Sequence, residues 1–308
     1  MEEERDGNIK AAGGWPADDA IAKAVAAQDN RAQRAWWLGQ MRGNLPLLGR
    51  CRDIKDIKDM FGGLPGVVAG AGPGLEKNAH LLAGREREYP IFCCDRAFPM
   101  LREAGVAPQF AVVADASERV AGFFDGCDVR RTVLLAPAYA HRGVFELPWR
   151  TRVAFNVTDA DPTYVNAARN IMLMIDRELS ELPGALIVGN VAFLAAKLAG
   201  CAPITFIGSD LSMPAPAAGE AVYEGTGPEG RKVYSTAGYL AGLEWLMKFV
   251  KVDKDIKCGK LRVFNSTEGG ILYGGEIRGL PLADFLGEFP GAKKSLDTVI
   301  RKRVGSRS

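Results

Sequence analysis

The hydrophobic pattern of the chain changes period once. Ahead of residue 62 apolar positions recur at helical spacing. Ile21, Ala24 and Val25 fall together, as do Trp36, Trp37 and Met41. Residues 17 to 44 therefore predict one or two helices, with Pro16 suited to a first turn and Arg52 to Met60 a further short helix. From Val67 onward short apolar runs alternate with amphipathic stretches. The runs Val67–Ala69, Ile91–Cys94, Phe110–Ala114, Thr132–Ala136, Val153–Phe155, Leu186–Val188 and Ile204–Ile207 read as strands. Phe98–Ala104, Glu118–Phe124 and Val191–Ala199 read as helices between several of them. Such alternation predicts an α/β fold: a mainly parallel sheet with helices on both faces, joined by right-handed crossovers.

Residues 212 to 233 interrupt this rhythm. The stretch SMPAPAAGEAVYEGTGPEGRKV is rich in Pro, Gly and Ala and has no period. It is too long for an idle connector, so it is read either as an active-site flap or as a surface insertion. An amphipathic helix follows from Ala237 to Val250, with Leu240, Leu243, Leu246, Met247 and Val250 on one side. Leu261–Phe264 is a short strand ahead of the loop NSTEGG. From Ala292 to Ser308 the chain carries six basic residues and one acidic residue, and this end is expected to fray. Three segments result: a helical segment over 1–62, an α/β domain over 63–290 and a basic tail over 291–308.

Composition narrows the picture only a little. The chain has 308 residues, 47% hydrophobic and 25% charged, the make-up of a globular protein. A formal net charge of +2 gives no drive toward nucleic acid or an anionic membrane. No apolar run approaches the ~20 residues of a spanning helix. The first residues, MEEERDGNIK, are unlike a signal peptide, and none of the six cysteines forms a CxxC pair, so a cytoplasmic location is expected. With two histidines, His80 and His141, a metal site of three histidines is excluded.

Candidate chemistry centres on GVVAGAGPGLEKN, residues 66 to 78. An apolar run enters Gly70, Gly72, Pro73 and Gly74, and a helix-like stretch from Leu75 to Leu82 follows. Glycines keep the backbone open to a ligand, and unpaired N–H groups at the next helix offer a seat for phosphate. The alternative is a plain turn. Three apolar runs end in aspartate: Asp95, Asp115 and Asp210. In open α/β sheets ligands bind beyond the carboxyl ends of the strands. Carboxylates beside phosphate oxygens suit Mg²⁺, although each Asp is also a natural cap or loop residue. Asn190 is placed to cap the helix Val191–Ala199 or to touch a nucleotide. Lys77, Arg96, Arg231 and Lys232 are candidate phosphate partners, and His80 reads as structural.

The stretches GAGPGLEKN, LREAGVAPQFAVVAD and GNVAFLAAKLAGCAPITFIGSDLS, in that order, resemble the signatures of the 6-hydroxymethylpterin diphosphokinase MptE-like family. That family includes motility-associated factors that glycosylate flagellin. The resemblance runs from about Asn44 to about Glu288, and VYSTAGYLAGLEWL with FNSTEGGILYGG is most similar to the flagellar branch. It implies a Rossmann-like domain and an enzyme, a nucleotide-dependent transferase. The first expectation is Mg²⁺–ATP diphosphate transfer to a pterin-like alcohol, with Gly70, Gly72, Pro73, Gly74 and Asn190 on the nucleotide. Asp115 and Asp210 would then be catalytic and, with Asp95, hold the metal. The alternatives are a glycosyltransferase that takes a CMP-activated nonulosonic sugar to flagellin or another surface protein, and a non-catalytic nucleotide-binding protein. Gly74 stands where the family usually has serine, and the segment after GSDL lacks the histidine common in the flagellar branch.

Overall fold

The computed structural model describes residues 30–159, 161–216, 222–227 and 230–305. The helix expected from residue 17 therefore lies partly outside the described residues. The part that is described, Asn30–Leu48, is helical as expected.

The apolar runs form a parallel sheet. Its strands are β1 (Arg52–Asp53), β2 (Gly66–Ala69), β3 (Ile91–Cys94), β4 (Phe110–Val112), β5 (Val133–Pro137), β6 (Thr151–Thr158), β7 (Glu181–Pro183), β8 (Ile204–Ile207), then β11 (Val263–Asn265) and β12 (Ile277–Gly279). Between the last four come β9 (Val222–Thr226) and β10 (Lys232–Thr236), which pair only with each other. The sheet order is β1-β6-β5-β4-β3-β2-β8-β11-β12, with β7 also on β6. The chain thus winds outward from β2 to β6, then returns to place β8 on the other side of β2. The β2/β8 boundary is the topological switch point, where an open α/β sheet leaves a crevice.

Successive residues of a strand face opposite sides, and the core divides accordingly. Val67, Ala69, Ile91 and Cys93 face one layer with Met41, Phe98, Phe145, Ile171 and Phe285. Val68, Phe92, Phe110 and Val112 face the other, with Phe193, Leu246, Val250 and Ile300. Both faces are covered, which is why the strands read as unbroken apolar runs.

Five expectations change. The short helix expected over Arg52–Met60 is instead the strand Arg52–Asp53 followed by a 3-10 turn, Ile54–Ile57. The run Leu186–Val188 is no strand: it leads into the helix Val188–Leu198, and the local strand is Glu181–Pro183. The 212–233 stretch contains the β9/β10 hairpin, with Met213 bridged to Tyr234, while 217–221 and 228–229 lie outside the described residues. The basic tail is a docked helix, Leu296–Val304, whose Leu296, Ile300 and Val304 are buried. It is tied down further by Arg150 to Asp297 at 2.6 Å and by Thr151 Oγ1 donating to the Val304 carbonyl. At the other boundary, β1 pairs with β6, so Arg52 and Asp53 belong to the sheet although they lie before residue 62. Among the described residues no helix is long and apolar enough to cross a membrane.

Candidate functional site

The glycine loop is held by the strand beside it. Gly70 donates its N–H to the Ile207 carbonyl at 2.9 Å and Gly72 to the Gly208 carbonyl at 2.8 Å. Gly74 donates to Asp210 Oδ2 at 3.0 Å. The three glycine N–H groups are therefore spent on the end of β8, and Pro73 has none to offer. A Cβ at residue 72 would stand 2.1 Å from Asp210 Oδ2, and one at residue 74 would stand 2.4 Å from the Thr267 carbonyl oxygen. Real Cβ contacts are never so short, so both glycines are demanded by close packing within the protein. A serine at residue 74 would clash here with Thr267.

Asp210 sits at the centre of this packing and is buried. On its far side the NSTEGG loop closes in. Ile271 donates to the Asp210 carbonyl at 2.8 Å, and Gly270, at φ +75°, passes where a Cβ would lie 2.2 Å from that carbonyl oxygen. Thr267 Oγ1 accepts the Ser209 N–H at 3.1 Å, and Thr205 shares a 2.7 Å hydroxyl contact with Ser266. Burial raises the Asp210 carboxyl above its ordinary range, opposed by the Gly74 N–H and the charge of Lys77.

Beyond the switch point lies a cavity of about 120 Å³. Gly70, Ala71 and Gly72 form one wall, Cys94, Asp95 and Arg96 at the end of β3 another, and Gly208, Ser209, Leu211 and Ser212 after β8 a third. Ile187, Val188 and Gly189 close it from above with Tyr239. The first residues of the helix Val188–Leu198 thus face the cavity, and Ile187, its N-cap, supplies no side-chain cap. Such an end carries partial positive charge and suits an anion.

Asp95 is buried at the cavity wall, and its Oδ1 accepts the Arg96 N–H at 2.7 Å. Burial pushes its carboxyl up to about 6; the Arg96 N–H opposes this, and the charge of Asp115 adds to it. Asp115 itself is exposed outside the cavity. Both of its oxygens are occupied by Ser117, through the backbone N–H and the hydroxyl, each at 2.9 Å. Asn190 is not a cap. It lies inside its helix, fully buried, and its Nδ2 donates to the Ala185 and Gly242 carbonyls at 2.9 Å each.

The expected metal set does not converge. Asp210 and Asp115 share the carboxyl edge, but β8 and β4 are separated by β2 and β3. Three strand spacings are roughly 14 Å, far beyond what one Mg²⁺ bridges. Among the described residues no three His, Cys, Asp or Glu side chains cluster as metal ligands. The residues do not fit an ion shared by Asp115 and Asp210; the neighbouring carboxylates are Asp95 and Asp115. Of the basic candidates, Arg96 lines the cavity, its guanidinium 5.8 Å from the Phe123 ring centre. Lys232 is exposed on the hairpin, paired with Glu224 at 2.7 Å. His80 is exposed. No local sequence pattern marks Ile187 or Ser209; for Tyr239 the available signal is the Thr236 cap that starts its helix.

A family model described as 6-hydroxymethylpterin diphosphokinase MptE-like matches residues 40–215. The solved structure of the MAf glycosyltransferase from Magnetospirillum magneticum AMB-1 superposes with a TM-score of 0.63 at 16% identity. The match covers 87% of this chain and 42% of that one, so the chain spans less than half of its structural neighbour. At this identity the likeness is one of fold. An uncharacterized protein of Treponema pallidum (strain Nichols) is 39% identical over 49 residues, 16% of this chain and 23% of that protein.

Proposed function

We propose a function from one premise: the chain belongs to the 6-hydroxymethylpterin diphosphokinase MptE-like family. It is a nucleotide-dependent transferase whose nucleotide sits in the β2/β8 crevice, with phosphate against the N-terminus of the helix Val188–Leu198. The observation that carries this is the meeting, in one cavity, of that helix end with Asp95. A helix end holds a phosphate, and a buried carboxylate titrating near 6 takes a proton at neutral pH.

Within this class we favour glycosyl transfer from a CMP-activated nonulosonic sugar, because it needs no ion between distant carboxylates. The acceptor hydroxyl attacks the anomeric carbon as the bond to the phosphate oxygen breaks. CMP departs with the bonding pair, and the hydroxyl proton passes to Asp95. The fold shared with a glycosyltransferase is consistent with this, and the acceptor would be a cytoplasmic protein such as flagellin before export. Diphosphate transfer from ATP to a pterin-like alcohol is the second reading. The family description favours it, and Asp95 and Asp115, which follow neighbouring strands, would be the residues to hold a phosphate-bound Mg²⁺. That ion would neutralise charge on the transferred phosphates.

A thermal-shift series with CMP, CDP, UDP, GTP and ATP, with and without Mg²⁺, tests both, because a ligand that binds the native state alone raises the melting temperature. Stabilisation by CMP that survives EDTA supports sugar transfer. Stabilisation by ATP only with Mg²⁺ transfers the assignment to diphosphate chemistry. Binding without turnover of either donor would leave a nucleotide-binding protein that lacks the chemistry.

A further inference from the structure

Tyr239 opens the helix Ala237–Val252 at the rim of the cavity, and 36% of its surface is exposed. Its position is fixed from behind. Thr236 Oγ1 accepts the Tyr239 N–H at 3.2 Å. One turn on, Gly242 lies against Ile187 so closely that a Cβ there would stand 2.6 Å from the Ile187 side chain. Residues three apart share a helix face, so the face locked onto Ile187 is the face that presents Tyr239. Asn190 closes the assembly by donating to the Gly242 carbonyl at 2.9 Å. Where Ile187 and Tyr239 line it, the cavity is therefore bounded by an apolar shelf. Leu186, just before it, has φ +63° and is 58% exposed. A left-handed backbone and a bare apolar side chain both cost stability, and such costs gather at ligand sites.

The geometry points to this shelf as the seat of a planar heteroaromatic ring, with Tyr239 as its stacking residue and Asn190 as a positioning residue acting through Gly242. The inference rests on the proposed nucleotide crevice and adds to it which residue takes the ring. Of the described side chains that line the cavity, Tyr239 alone is aromatic, and its face is the one on which such a ring would stack. Aromatic faces bind such rings irrespective of their hydrogen-bonding edges. The ring has two sources: the base of the donor nucleotide or the ring of a pterin acceptor.

Calorimetric titration of the full chain and of Tyr239→Ala and Tyr239→Phe separates them. The probes are CMP, ATP, 6-hydroxymethylpterin and the ringless ribose 5-phosphate. Tyr239→Ala should weaken the ring-bearing probe at least tenfold, leave ribose 5-phosphate unchanged and keep the wild-type melting temperature, whereas Tyr239→Phe should bind as wild type. Loss confined to CMP or ATP assigns the shelf to the base, and loss confined to the pterin assigns it to the acceptor. If wild type binds a nucleotide and Tyr239→Ala binds it and the pterin equally well, the shelf assignment falls while the crevice stands. An equal loss of ribose 5-phosphate also overturns it. No binding of any probe by wild type overturns the crevice and the shelf together.

Discussion

Asp210 Oδ2 accepts the Gly74 N–H at 3.0 Å across 136 residues of sequence and so fastens the β2 loop to the end of β8. The motif that looks like a phosphate cradle is thus first a clasp within the protein. Its glycines are needed because β8 and the NSTEGG loop leave no room for a side chain. The ligand space opens beside the clasp, toward β3 and the helix Val188–Leu198.

Gly72→Ala should therefore lower stability before it affects binding. The residue has φ −80° and ψ 168°, which alanine adopts freely, so the cost is steric and falls on Asp210. Overpacking of this kind costs about 1–3 kcal/mol. Urea denaturation monitored by Trp fluorescence measures it, and an unchanged midpoint would show that the loop yields without strain.

The sequence displayed what local pattern encodes and hid what depends on assembly. The runs Val67–Ala69, Ile91–Cys94 and Ile204–Ile207 were legible because both sheet faces are buried, and each matches a strand. Leu186–Val188 imitated them, since a short apolar run does not by itself distinguish a strand from the lead-in to a helix. In the tail, Leu296, Ile300 and Val304 repeat at four-residue spacing, but the surrounding basic residues concealed the apolar stripe. The separation of Asp115 from Asp210 follows from crossover order, and no local signal carries that. The alignment of Tyr239 with Ile187 depends likewise on contact between helices remote in sequence.

The tail helix offers a direct measure of that hidden packing. Ile300 is 1% exposed among residues of the second core layer. Ile300→Ala should cost about 2–5 kcal/mol, the range for truncating a buried aliphatic side chain. A frayed tail would show no change in the denaturation midpoint.

Asp95 links stability to pH with a definite sign. Its native carboxyl titrates at about 6 against 3.8 for the unreacted group. Between those values the folded protein holds the proton more tightly than the unfolded chain. Stability therefore falls as pH rises through that window, by up to roughly 3 kcal/mol. Asp95→Asn should flatten this decline in melting temperature between pH 4 and 6.5. The same group as general base predicts that kcat/KM rises with pH through a limb near 6, and that the limb disappears in the variant.

Asp115 and Asp210 should then act differently on that limb. The charge of Asp115 raises the Asp95 carboxyl, so Asp115→Asn removes a repulsion and should move the limb to lower pH. Asp210 does not contribute to the Asp95 shift, and three strand spacings separate it from Asp115. Asp210→Asn should leave the limb in place and show itself in stability, through the Gly74 clasp. Combining the two substitutions should give additive effects on nucleotide affinity, as independent sites do. Coupling of more than about 0.5 kcal/mol between Asp115 and Asp210, measured by titrating nucleotide with Mg²⁺ into the single and double variants, would restore an ion shared across the sheet edge.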